Sequence, residues 1–228
     1  MLTIKSKRLR TALRILIPFV GIPALIVCGE VFFNERRYLT ISLGVALLSL
    51  LLFISGFEKR SVGTRRMVLT SVMTALSVVG RFIPFFKPIT AVTVLTAVWL
   101  GVESGFLVGA FSALLSNFYF GQGPWTPFQM LAWGMIGLIA GLIAPLLQKS
   151  RAAILVYGVL SGIAYSFIMD VWTVLAYSDT FDLTLYLAAL ATALPHTILY
   201  SVSNLLFLGF MARPFGEKLS RIKLKYGI

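Results

Sequence analysis

The chain has 228 residues, of which 58% are hydrophobic and only 12% charged, with a mean hydropathy of +0.92. Ordinary soluble domains are about 45–50% apolar and about 25% charged, so these values exclude a disordered chain and weigh against a water-soluble globule. Lys and Arg number 20 against 8 Asp and Glu, a formal charge of +12; the lone cysteine, Cys28, excludes a disulfide framework, and the lone histidine, His196, excludes every two-histidine motif.

A helix crossing the hydrocarbon core needs about 20 mostly apolar residues. Eight segments qualify in chain order: 15–33, 39–57, 67–86, 88–102, 104–120, 127–147, 152–177 and 183–212. The fold class is therefore all-α, a polytopic membrane helical bundle. The first segment follows Lys and Arg, as a signal peptide would, but it is long and no small-x-small cleavage pattern follows, so it reads as a retained span. Val27 fits poorly before Cys28 for a lipoprotein. Segment 88–102 is short and joins 104–120 closely enough to form one broken hairpin. Segment 183–212 carries Pro195 and is expected to tilt or kink.

Charge placement tests the topology. With the N-terminus in the cytoplasm, the inner side receives Lys5, Lys7, Arg8, Arg10 and Arg14, then Lys59, Arg60, Arg65 and Arg66, then Lys149 and Arg151. The tail adds Arg213, Lys218, Arg221, Lys223 and Lys225. Only Arg36, Arg37, Arg81 and Lys87 fall outside, and the outer loop near 178–182 carries Asp179 and Asp182. A sixteen-to-four division of the 20 basic residues predicts a multi-pass cell-membrane protein with both termini cytoplasmic. It also accounts for the net charge without nucleic acid, which would need the charges on one folded face.

Small residues let helices approach closely in lipid. Gly101, Gly105, Gly109 and Ala113 form a four-residue stripe, and Gly137 and Gly141 another, with Gly134 nearby. These rows predict internal packing. The Ser71 and Ala75 pair reads equally as a docking face for another membrane protein.

Polar and aromatic groups inside spans are costly and mark functional candidates. They concentrate in the outer half: Asn117, Tyr119 and Gln122; Trp125, Gln129 and Trp133; Asp170 and Trp172; and, nearer mid-depth, His196, Tyr200 and Asn204. Such a set from four segments predicts a cavity open to the outside. Each has a plainer reading: Trp125, Trp172 and Tyr177 as interfacial aromatics, His196 as a partner for the carbonyl freed by Pro195, and Asp170 as a solvated helix end or a partner of Arg81. The run Gly121-Gln122-Gly123-Pro124-Trp125-Thr126-Pro127 combines two flexible and two stiff positions. It predicts a shaped lip, with Thr126 capping a helix that begins at Pro127.

The chain has no P-loop, no zinc-protease or nucleophile-elbow motif, no visible inverted repeat, and Asp170 as its one convincing intramembrane carboxylate. No cofactor and no metal site are expected. A small membrane protein with an outward cavity and no energy source needs a partner to do work.

Residues 65–212 resemble the substrate-binding S components of energy-coupling factor (ECF) transporters. The matching stretches are Thr74-Ala75-Leu76-Ser77-Val78-Val79-Gly80-Arg81, Gly105-Phe106-Leu107-Val108-Gly109-Ala110, Asn117 to Pro127, and Trp133-Gly134 with Gly137. The resemblance implies a non-enzymatic vitamin-binding subunit with a six-helix core over 63–212. An N-terminal basic segment with two extra helices occupies 1–62, and a basic cytoplasmic tail 213–228. It also implies docking on a T component that carries two cytoplasmic ATPases, through a small-residue row here formed by Ser71, Ala75 and Val79. Val79 replaces the family's Ala. The lip looks most like the cobalamin-type members, whose corrinoid would hydrogen-bond with Asn117, Gln122, Gln129, Tyr200 and Asn204 and pack on Trp125, Trp133 and Trp172. Another vitamin and a queuosine precursor stay open. Two further classes compete: a membrane enzyme acting on a lipid or prenyl substrate through Asp170 and His196, and a ligand-free scaffold.

Overall fold

A computed structural model describes residues 6–32, 38–56, 60–178 and 181–227, and among these every regular element is helical. Lys5, Arg36, Arg37, Lys59 and Asp179, used above to place charge, lie outside the described residues.

Helix α1 (Lys7–Leu16) starts at Ser6, whose hydroxyl accepts from the Leu9 N–H at 3.4 Å. It passes through one π-helical turn at Ile17–Gly21 into α2 (Ile22–Phe32). Pro18 and Pro23 each remove an amide from the ordinary ladder, which accounts for the widened turn. Then follow α3 (Tyr38–Ser55), α4 (Arg60–Gly80), α5 (Ile89–Leu100), α6 (Val102–Phe120), α7 (Trp125–Leu142), the short α8 (Ala144–Lys149), α9 (Arg151–Tyr177) and α10 (Leu183–Tyr226). Among the described residues, five stretches are long and apolar enough to cross a membrane: Arg8–Gly29, Tyr38–Ser55, Trp125–Leu142, Arg151–Tyr177 and Leu183–Tyr226. The molecule is a helical membrane bundle.

Each expected segment holds a helix, but 67–86, 88–102 and 104–120 are not among the five crossing-length apolar stretches, and several boundaries shift. Helix α4 stops at Gly80 rather than 86, because Pro84 and Pro88 cannot extend a helix and the intervening residues form turns. Segment 127–147 divides at Ile143 into α7 and α8. Helix α10 runs through Pro195 and Pro214 to Tyr226 rather than ending at 212, and closes on Gly227 in the left-handed region at φ 62°.

Helix α5 is the axis of the bundle, buried along nearly its whole length among α4, α6, α7 and α10. It is short because Pro88 starts it and Gly101, at φ 105°, ends it. That conformation strongly favours glycine and lets the chain reverse at once into α6. The most extensive helix pair is α6 with α7. A methyl group at Gly109 would strike the backbone of Trp133, and one at Gly137 would strike the backbone of Gly105. The glycine rows therefore serve internal packing.

The N-terminal helices join this bundle through α3, which packs on α6 and α7. A buried carboxylate ties them further. Glu103, 4% exposed, bonds Arg14 of α1 at 2.5 Å and Arg66 of α4 at 3.2 Å. Arg66 also donates to the Ser104 hydroxyl at 2.9 Å. One acid thus clasps three helices at the basic end of the molecule.

Candidate functional site

At the opposite, distal end lie the turn after α4, the loop between α6 and α7, and the start of α10. Arg81, buried although charged, enters the bundle immediately after α4. Its Nη1 donates to the Ser116 hydroxyl and to Asn117 Oδ1, the latter at 2.6 Å. Asn117 is fully buried and uses both amide hydrogens, one on the Thr126 hydroxyl and one on Gln129 Oε1, each at 2.9 Å. Gln129 passes the chain on, donating to the Tyr165 hydroxyl at 3.1 Å. The Thr126 hydroxyl donates to Gln122 Oε1 at 3.0 Å, and Gln122 Nε2 donates to the Leu114 carbonyl at 2.8 Å. Asn117 therefore joins α6 to α7, and Gln129 joins α7 to α9.

An aromatic column stands beside this chain. Trp133 stacks on Tyr165 with centroids 5.0 Å apart and planes 21° apart, and Tyr165 stacks on Tyr200 at 4.9 Å and 18°. The Arg81 guanidinium lies over Phe120 at 4.8 Å and over Trp133 at 5.5 Å. No carboxylate pairs with Arg81 among the described residues; the ring faces supply the compensating negative potential. Among the buried polar atoms here with no hydrogen-bond partner among the described residues are Arg81 Nε, Trp133 Nε1 and Asn204 Oδ1, with Ser77 Oγ and Ser112 Oγ one turn before Arg81 and Ser116. Unpaired buried groups of this kind are costly unless something else satisfies them.

The remaining predicted residues lie around the cluster. Asn204 donates to the Gly158 carbonyl at 3.0 Å and joins α10 to α9. Trp125 and Trp172 meet edge-on at 5.7 Å, so the lip is pinned to α9. Tyr119 is exposed and packs on Phe82 and Phe120. Asp170 accepts from Ser166 at 3.5 Å rather than pairing with Arg81, which is turned towards α6. His196 is exposed on α10, its ring 6.0 Å from that of Tyr200. Asp170 and His196 thus do not form the acid–base pair that an enzyme would need. Thr126 is not a helix cap: Pro124 already has helical angles, α7 begins at Trp125, and Thr126 lies within its first turn. Two members of the cluster were not singled out in the sequence, Ser116 and Tyr165. Tyr165 carried only a weak signal, being one of several hydroxyls along an apolar segment that also holds Tyr157, Ser161 and Ser166.

Ser71, Ala75 and Val79 are exposed along one face of α4, together with Val68, Val72 and Leu76. The face turned away from the bundle therefore carries the small residues Ser71 and Ala75 among exposed branched ones, Val79 included.

The site thus sets a buried chain of amides, a cation and an aromatic column together at one end of a helical membrane bundle. The family is specified by comparison: residues 61–220 match the ECF-type riboflavin transporter, S component, and the chain belongs to that family. It is accordingly a substrate-binding subunit for vitamin uptake, not an enzyme; S components work with a T component and ATPases. Comparison with curated proteins and with solved structures found no match.

Proposed function

We propose that this chain captures riboflavin at its distal end and delivers it through a T component and two ATPases. The observation that carries the choice of vitamin is the parallel column of Trp133, Tyr165 and Tyr200 in a region that matches a riboflavin-transporter family. A flat heteroaromatic ring extends such a column by stacking, and its carbonyl and imide edge complements donors and acceptors like Arg81 Nε, Trp133 Nε1 and Asn204 Oδ1. Tyr119, Gln122, Trp125 and Trp172 then form the rim of the site, with Asn117 and Gln129 fixing its wall. Asp170 and His196 lie at its margin.

A corrinoid is the second reading, favoured by the Gly121-Gln122-Gly123-Pro124-Trp125 lip. Against it, the amides of Asn117, Gln122 and Gln129 are already engaged with neighbouring groups. In this proposal the basic end faces the cytoplasm, in keeping with the positive-inside bias. The exposed row of Ser71, Ala75 and Val79 docks on the T component. Residues 63–212 act as the binding core, with 1–62 and 213–228 as additions to it.

Titration of the purified protein with riboflavin and with cyanocobalamin, by calorimetry and by flavin fluorescence, decides between them. Saturable one-to-one binding with quenched flavin emission is expected for riboflavin. Heat from cyanocobalamin alone would transfer the assignment to a corrinoid, and heat from neither would remove both.

A further inference from the structure

A cavity of about 690 Å³ opens at the basic end, far from the aromatic column, between the α8–α9 corner and the C-terminal half of α10. Its rim carries Lys149, Arg151, Arg213 and Arg221, against one lining acid, Glu217. Glu217 is occupied by Arg213 one turn away at 3.2 Å, and Arg151 donates to the Gly209 carbonyl at 3.3 Å. Lys149 and Arg221 have no partner among the described residues. The floor is apolar: Leu147 and Ile154 are buried there, beside the Trp99 ring.

The position is as informative as the lining. Helix α10 has 44 residues, which at about 1.5 Å per residue exceeds the hydrocarbon thickness of about 30 Å roughly twofold. Its basic half must therefore leave the hydrocarbon. Lys149 and Arg151 flank the break before α9, itself a full crossing. The cavity thus sits where the bundle meets the plane of lipid phosphates. A cationic rim at that depth over an apolar floor fits a molecule with an anionic head and a hydrocarbon tail. Free phosphate would leave the floor unused.

We propose that this cavity is a binding site for one anionic phospholipid, its phosphodiester held by Lys149 and Arg221 and the upper part of an acyl chain lying on Leu147 and Ile154. Basic recesses between transmembrane helices bind acidic head groups by the same electrostatics. The site is separate from vitamin capture.

The test is native mass spectrometry of the full-length protein in detergent. It is titrated with phosphatidylglycerol, with phosphatidylcholine of the same chains, and with inorganic phosphate as competitor. One retained phosphatidylglycerol and no comparable phosphatidylcholine adduct are expected. The double variant Lys149→Gln/Arg221→Gln should weaken phosphatidylglycerol binding about 30-fold while riboflavin binding is unchanged. The charge-matched variant Lys218→Gln/Lys225→Gln, altered outside the cavity, should bind as the parent does. Equal retention of the two lipids, or equal weakening by the two double variants, would overturn the proposal. Displacement of the lipid by inorganic phosphate would reassign the rim to a soluble phosphate. Loss of riboflavin binding in an otherwise lipid-competent protein would bear on the vitamin reading alone.

Discussion

Arg81 Nη1 lies 2.6 Å from Asn117 Oδ1, and both side chains are buried at the distal end of the bundle. Asn117 has no idle hydrogen-bonding group on its amide nitrogen, so it acts as the joint between a cation on one side and the Thr126 and Gln129 side chains on the other. Substituting Asn117→Ala leaves Arg81 and Gln129 short of partners at once. A loss of about 2–3 kcal/mol is expected, from the cost of orphaned buried groups. Thermal unfolding in detergent should register it, together with weakened riboflavin binding. An unchanged melting point would mean that the joint is not formed.

Glu103 makes the corresponding joint at the basic end. Glu103→Gln removes both ion pairs and should destabilise the protein by about 3 kcal/mol, since a broken buried pair leaves charge uncompensated. Arg14→Ala should cost much less, about 1 kcal/mol or below, because the Arg14 side chain is 44% exposed and screened while Arg66 still holds the acid. Unfolding curves of the two variants side by side give the comparison. Equal losses would place the weight of the clasp on Arg14.

The contact between α6 and α7 leaves no room for a side chain at Gly109. Gly109→Leu should prevent normal packing, seen as aggregation in size-exclusion chromatography. Gly21→Ala, where a methyl meets only ordinary van der Waals contacts, should be neutral or slightly stabilising. Normal behaviour of Gly109→Leu would contradict the close approach of the two helices.

Phe85 has φ 61° and is 78% exposed. A non-glycine residue rarely adopts this conformation. Phe85→Gly should therefore be more stable than Phe85→Ala by about 1 kcal/mol, the two variants having lost the same ring. Melting temperatures of the pair isolate the backbone effect.

Ala75 is exposed on the small-residue face of α4. Ala75→Trp should leave the purified protein as stable as the parent and able to bind vitamin, yet abolish uptake in cells that supply the T component and ATPases. Uptake at the parental rate would move the docking surface elsewhere.

What was legible in the sequence was local. Segment length, apolar runs and their proline and glycine breaks depend on neighbours within a few residues, so a helix in each apolar segment and the reversal near Gly101 could be read directly, although only five of the eight match crossing-length apolar stretches among the described residues. The uneven distribution of basic residues likewise marked one end of the bundle. The family resemblance rested on short stretches such as Gly121 to Pro127, and the match over 61–220 supports it.

Partner choice was decided only in three dimensions. Whether Arg81 meets Asp170 or Asn117 depends on how far α4 and α6 are rotated about their axes, and one residue of rotation turns a side chain by about 100°. The same applies to His196, exposed on α10, and to Tyr165, which ends the amide chain and is the middle ring of the aromatic column. Apolar spacing in lipid does not report that rotation, because a face turned to hydrocarbon and a face turned to a neighbouring helix are both greasy. Close packing of glycine against backbone between α6 and α7 set the angles, and from them followed which buried polar groups could reach one another.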